Sequence, residues 1–336
     1  MKKHVLLLVT FFTMSITSYA QEGIPVYFDY LSDNYYLVFP SMAGIGEGAK
    51  VRTTVRKQWF NVEDAPNLQT INAHFRLGES ASGVGVILYN DANGYHSQSG
   101  FKATYAHHLR MGGQDMRVLN QLSFGLSTVY LQSRLDETDF RRSDPLLNGA
   151  DNSVGYFNID LGMSYNYKNF YTHVGVLNML PTERNLYNSN ASIAPVVKTD
   201  NVRRLVVGAG YIFGKNEWQL EPSVLFQLTD FTQEKTVDFN VKAYRDVAFG
   251  RLWGGVSYRR SFEGAQFLVG DTFGRQRLQL ITPILGANIK NFMVSYNYSY
   301  EMGNINYTSG GFHQLTIGYN FGQTNRRYDC YCPAAQ

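Results

Sequence analysis

The chain has 336 residues, with 30 Lys and Arg against 27 Asp and Glu, a formal charge of +3. No stretch is dominated by Lys or Arg, which excludes an electrostatic footprint for nucleic acid. Aromatic residues are abundant (24 Tyr, 22 Phe and 3 Trp), yet past the N-terminus no run of about 18 apolar residues could cross a bilayer as a helix.

Lys2, Lys3 and His4 precede an apolar run over residues 5–14, and Ser18 and Ala20 then stand at the −3 and −1 positions of a cut before Gln21. This is the layout of a secretory signal peptide over residues 1–20, because the run is too short for a transmembrane helix. Without Lys2 and Lys3 the mature chain carries 28 basic against 27 acidic groups. An exported chain with no apolar helix can still be integral to a membrane as a closed barrel.

Residues 21–48 form an N-terminal segment ahead of the first strand. Its aromatic part, residues 24–39, has no clean alternation, so the segment is expected either to stay periplasmic or to fold inward as a plug. Gly44-Ile45-Gly46-Glu47-Gly48 resembles a phosphate loop only superficially. It leads into a strand, whereas phosphate binding needs a helix N-terminus, and the reading is a flexible hinge.

From residue 49 onward the periodicity is two. Residues 156–167 set Phe157, Ile159, Leu161, Met163 and Tyr165 against Asn158, Asp160, Gly162, Ser164 and Asn166. Residues 218–229, 291–300 and 312–321 alternate in the same way, with Met293 breaking the polar side of its window. A strand with lipid on one face and a wet lumen on the other requires this pattern, and helical spacing fits none of the windows. Strands are predicted over 49–59, 67–77, 82–90, 98–109, 118–132, 155–167, 169–178, 202–213, 217–228, 235–245, 250–259, 277–287, 290–300 and 312–321. The connections at 133–154, 179–201, 260–276 and 301–311 are long, while those at 168, 214–216, 246–249 and 288–289 are short. Outer-membrane barrels have short periplasmic turns, longer external loops and usually an even strand count.

The expectation is an all-β, antiparallel transmembrane β-barrel over residues 49–321, in the outer membrane. It has about fourteen strands, with twelve to sixteen as the bracket. Both termini are placed in the periplasm, with residues 322–336 as a periplasmic tail that barrel closure does not need.

Charged residues fall on the polar faces, which places Lys50, Arg52, Arg56, Asp160, Glu221, Arg251 and Arg259 in the lumen. His107 and His108 are adjacent, so in a strand they face opposite ways and cannot share a metal. No Ser/His/Asp set or carboxylate pair is brought together by spacing, so no catalytic, cofactor-binding or metal-ligating residue is expected. Cys330 and Cys332, the only cysteines, could form a disulfide in an oxidising compartment. A plain tail with an incidental pair is the other reading.

Residues 37–66 also carry a local pattern. Pro40, Ala43 and Gly44 precede the first strand, Arg56, Gln58 and Trp59 stand at its end, and Ala65 and Pro66 follow, with Gln69 and Thr70 in the next strand. The pattern resembles the N-terminal signature of the PorP/SprF family of type IX secretion system membrane proteins, although the family's usual Asn-Pro-Ala reads Phe39-Pro40-Ser41 here. The resemblance implies a non-enzymatic barrel in the outer membrane of Bacteroidota, serving secretion and gliding. Its implied partners are the C-terminal domain of a large cargo such as an adhesin, other secretion-system proteins and outer-membrane lipid. The implied mechanism is docking, with export or surface anchoring of that cargo. Two other functions fit the residues alone: a diffusion porin or hydrophobic-substrate transporter, and an outer-membrane hydrolase.

Overall fold

The alternation of side chains becomes the two faces of a closed sheet. In a computed structural model the residues described are 29–46, 48–59, 62, 64–78, 80–111, 118–138, 151–181, 183–184, 199–200, 202–214, 217–230, 233–262, 266–269, 272–275, 277–302 and 311–322. The proposed signal peptide, Cys330 and Cys332 lie outside them.

Strands run in chain order as β1 (Ala49–Gln58), β2 (Asn67–Arg76), β3 (Ser82–Asn93), β4 (His96–Arg110), β5 (Asn120–Asp136), β6 (Asp151–Tyr167) and β7 (Phe170–Leu177). There follow β8 (Glu183–Arg184), β9 (Thr199–Asp200), β10 (Arg204–Tyr211), β11 (Trp218–Thr229), β12 (Lys235–Val247) and β13 (Gly250–Ser261). The last five are β14 (Gln266–Val269), β15 (Thr272–Arg275), β16 (Gln279–Ile289), β17 (Phe292–Glu301) and β18 (Phe312–Phe321). The pairs β8–β9 and β14–β15 are small hairpins inside two of the long connections; the other fourteen strands close into one antiparallel barrel, sealed by β1 on β18. All fourteen barrel strands occur where the periodicity places them.

On β5, Ser123, Ser127, Val129, Leu131 and Ser133 are buried in the lumen, while Phe124, Leu126 and Tyr130 face outward. The outward faces make a lipid-facing belt, and aromatic rings mark its margins. Tyr167, Phe170, Tyr211, Phe213, Trp218 and Phe292 ring the rim that holds both ends of the barrel chain. Phe101, Tyr130 and Phe157 mark the opposite margin on three adjacent strands, with ring centroids 5.8 and 4.9 Å apart. The tight turns at the first rim put Lys168 and Lys290 at φ 51° and 52°, a left-handed conformation that two-residue hairpins need.

Several strands overrun their predicted ends at the far rim, most of all β5, which continues to Asp136, and β6, which starts at Asp151; β3 continues to Asn93, β4 starts at His96 and β13 continues to Ser261. Above the Phe101–Tyr130–Phe157 margin the outward residues become Ser99, Gln132 and Ser153. With water on both sides, the apolar-to-polar contrast that reveals a membrane strand is gone.

Residues 29–45 lie within the barrel. They fold as three single 3-10 turns, Asp29–Ser32, Tyr35–Leu37 and Pro40–Met42. Their apolar side chains (Leu31, Val38, Phe39, Met42) form one core with the lumen-facing Ile87, Val206, Leu225 and Trp253. Full burial of side chains this large contributes about 1.5–3 kcal/mol each.

Candidate functional site

The seat of this plug is built by register. Gly83 of β3 pairs with Ala106 of β4, Ala106 with Gly125 of β5, Gly125 with Gly162 of β6, and Gly162 with Gly175 of β7. Five neighbouring strands thus present a row with almost no side chain to the lumen. The plug backbone from Val38 to Gly44 crosses the strands along it. A Cβ on Gly162 would lie 2.8 Å from the Ser41 nitrogen and 3.0 Å from Pro40 Cδ, and one on Gly83 would lie 2.9 Å from Gly44 Cα. A Cβ on Gly125 would collide with the peptide between Pro40 and Ser41. Glycine is required here for close approach of two backbones.

Polar contacts fix the position. Gly44, at φ 67°, donates its N–H to His74 Nδ1 at 3.0 Å. His108 Nε2 lies 2.9 Å from the Ala43 carbonyl, and its Nδ1 lies 2.9 Å from Ser123 Oγ. Ser41 Oγ is 2.6 Å from Ser164 Oγ, which is 2.8 Å from His173 Nδ1. The Tyr36 hydroxyl donates to Thr104 at 2.9 Å. His173 and Ser164 would be a tempting nucleophile pair by distance alone. They are buried under Phe39 and Ser41.

Past the β7 end of the glycine row, on β11 and β12, stands a charged cluster. Glu221 of β11 accepts hydrogen bonds from the hydroxyls of Tyr35 (3.2 Å), Tyr171 and Tyr244 (2.5 Å), and Lys242 Nζ is 3.4 Å away. Lys242 also donates to Asp33 of the plug at 2.9 Å and to the Leu31 carbonyl at 3.4 Å. A carboxylate and an ammonium persist in such a place only when their hydrogen-bonding capacity is met on several sides. One strand further, Arg259 grips Asp238 through two bonds of 2.6 Å, and the Tyr30 hydroxyl donates to the same carboxylate at 2.8 Å. Both clusters tie the plug to the wall.

The charges expected in the lumen are on its side of the wall: Lys50, Arg52, Arg56, Asp160, Glu221 and Arg259 are buried inside the barrel, and Arg251, on the same inward parity of β13, is half-buried and paired with Asp246 at 2.7 Å. His107 and His108 face opposite ways, the latter under the plug. The signature residues separate into two groups. Pro40, Ala43 and Gly44 belong to the plug at the glycine row. Arg56, Gln58, Trp59, Ala65 and Pro66 lie at the far rim, where the Gln58 N–H donates to the Pro66 carbonyl at 3.0 Å. Gly44 packs tightly against β2 and β3 rather than swinging as a hinge. Asp33, Tyr171, Lys242, Tyr244 and the glycine row were not singled out from sequence. Small residues on the inward parity of five successive strands were the available signal, but only register aligns them. A shallow apolar hollow of about 510 Å³ lies behind Gly125 and Gly162 on the lipid side; it is remote from these polar groups. Among the described residues no cluster of three or more His, Cys, Asp or Glu could hold a metal.

Solved structures with similar folds include the TodX monoaromatic hydrocarbon channel deltaS2 mutant (8% identity, TM-score 0.47, covering 86% of this chain and 94% of that one). The Salmonella typhi OmpF complex with daunomycin (12%, 0.36, 81% and 97%) and BamA from Haemophilus ducreyi lacking POTRA domains 1–3 (8%, 0.39, 82% and 70%) are others. No curated protein sequence matches the chain. The profile of the family described as "Type IX secretion system membrane protein PorP/SprF" matches residues 20–319. With that span covering the plug and nearly all of the barrel, the chain belongs to the PorP/SprF family of type IX secretion system membrane proteins.

Proposed function

We propose that this barrel serves the secretion system as a docking platform, receiving a large secreted protein such as an adhesin and helping to export it or hold it at the cell surface. The observation that carries the reading is the plug. Residues 29–45 fill the lumen and are tied to it by Asp33, Tyr35 and Tyr30, so the path a solute would take is occupied by the protein's own chain. Paired strands make the wall rigid, and contacts are left to the rims. In this reading the rim carrying both chain ends is periplasmic, the far rim is external, and residues 322–336 offer an accessory periplasmic contact. The role is docking, with no catalytic step.

Deleting the gene and shaving the surface of intact cells tests the proposal. One large adhesin should disappear if the barrel is dedicated to it, and most exported proteins should disappear if it belongs to the core machinery. An unchanged surface proteome with altered solute uptake would support the diffusion-porin alternative instead. In planar bilayers the intact protein should show no steady conductance.

A further inference from the structure

The glycine row that seats the plug has a counterpart on the outer face of the wall. Residues flanking the row point away from the lumen and stay in register: His107 pairs with Phe124, Phe124 with Met163, and Met163 with Val174. A second ridge, Tyr105, Leu126, Leu161 and Val176, runs beside the first in the same way. Between the two ridges lies the apolar hollow of about 510 Å³, floored by Gly125 and Gly162. A barrel is convex on the outside, so a hollow there needs a cause. Glycine on the lumen side lets the wall lie against the Pro40–Ser41 backbone of the plug, and the outer surface is dented behind it. Across β4 to β7, with neighbouring strands about 4.8 Å apart, this trench is about 14 Å long.

The trench slopes through the lipid belt. On β6, Gly162 is five residues from Phe157 at one aromatic margin and five from Tyr167 at the other, so that part lies at mid-height. On β3 the partner of His107 is Ser82, the first residue of the strand, at the rim that holds both chain ends. Polar groups gather at that end: Ser82 Oγ lies 2.9 Å from the Tyr105 hydroxyl and 3.4 Å from His107 Nδ1. The lining of the hollow contains no Lys, Arg, Asp or Glu. The trench thus joins an apolar bed deep in the membrane to hydrogen-bonding groups where the membrane meets water. Its width selects among occupants. Ridges two residues apart along a strand are separated by about 7 Å, whereas a helix with its side chains is about 10–12 Å across. A fatty acyl chain is narrower than a helix, and in a phospholipid it ends in ester and phosphate oxygens at the membrane surface.

We propose that the trench between the two ridges holds one acyl chain of a phospholipid, with the ester and phosphate region of that lipid against Ser82, Tyr105 and His107. The site is continuous with the lipid belt and differs from it in laying the chain across the strands, in a fixed slot. It does not depend on the docking function; only the assignment of the lipid to the periplasmic leaflet rests on the topology proposed above.

The test uses the full barrel in phosphatidylethanolamine liposomes doped with the same lipid carrying a diazirine at the middle of one acyl chain. After irradiation, adducts on Phe124, Leu126, Leu161 and Met163 should exceed those on Leu315 and Ile317 at least fivefold. Leu315 and Ile317 are 43% and 49% exposed on the outer face of β18 and report ordinary bilayer contact. Tyr105→Phe with Ser82→Ala removes the hydroxyls at the polar end and should lower the trench adducts at least threefold while leaving those on β18 unchanged. Heat-modified gel mobility reports folding of that variant, and the wild-type comparison decides the matter if the variant misfolds. A free fatty acid carrying the same diazirine should label the trench no more than β18. Equal labelling of trench and β18 by the phospholipid overturns the site, since bilayer contact alone then explains it. Trench labelling by the free acid with none by the phospholipid, or a folded variant with undiminished trench adducts, overturns the phospholipid assignment. In cells, a photoreactive benzoylphenylalanine at Leu126 should yield a lipid adduct, and a protein adduct in its place overturns the proposal. A change in cargo export tests the docking function and leaves this site standing or falling on the adducts alone.

Discussion

Lys242 should act as the latch of the plug. Its ammonium is buried at 1% side-chain exposure between Asp33 of the plug and Glu221 of the wall. Replacing it with methionine, of similar length, leaves Asp33 buried without its cation. Breaking a buried ion pair from one side costs about 3–5 kcal/mol. Glu221 keeps its three tyrosine hydroxyls, so most of the cost falls on Asp33 and favours release of the plug. At about 1.4 kcal/mol per factor of ten, Lys242→Met should raise the released population by about a hundredfold to a few thousandfold. Ser32→Cys is a suitable reporter, since Ser32 is fully buried and its hydroxyl has no hydrogen-bond partner among the described residues. Cys330→Ser and Cys332→Ser clear the background. Maleimide labelling of Cys at position 32 in detergent-purified barrel should accelerate by the same factor. Adding Asp33→Asn to Lys242→Met should recover part of the loss, with a non-additivity of about 1 kcal/mol or more. Arg203→Met, which breaks an exposed pair with Asp230, should change labelling little, because such pairs contribute about 0–1 kcal/mol. A Lys242→Met labelling rate within twofold of wild type would refute the latch.

Gly162→Ala should cost about 1–3 kcal/mol by overpacking and admit solute through the lumen in a liposome-swelling assay. Gly208→Ala, whose added Cβ meets Leu225 Cδ1 at 3.1 Å and Phe39 Cζ at 3.6 Å, should cost less, since those are side-chain ends that can shift. On the lipid face, Leu285→Arg should destabilise the barrel by about 2–4 kcal/mol if its depth is near the midplane. Gln132→Arg, above the aromatic margin, should stay within about 0.5 kcal/mol in denaturant unfolding. For topology, a cysteine at Tyr95 should react with an impermeant reagent on whole cells and one at Lys290 should not; the reverse pattern would invert the barrel.

The location of every barrel strand was legible in the residues themselves. A barrel wall sits between lipid and a polar lumen, and that contrast is written locally, residue by residue, as Phe157, Ile159 and Leu161 against Asn158, Asp160 and Gly162. The lumenal place of Arg52, Glu221 and Arg259 followed from the same parity. The reading failed where the contrast stops: the ends of β5 and β6 rise beyond the aromatic margin, where both faces meet water. What occupies the lumen was beyond local pattern. The aromatic run before β1 was compatible with a periplasmic segment or a plug, because nothing in Tyr30, Tyr35 or Tyr36 says which surface will bury them. That depended on register across five strands, which lines up Gly83, Ala106, Gly125, Gly162 and Gly175 into a trough. It depended also on closure, which brings Lys242 within reach of Asp33, 209 residues away.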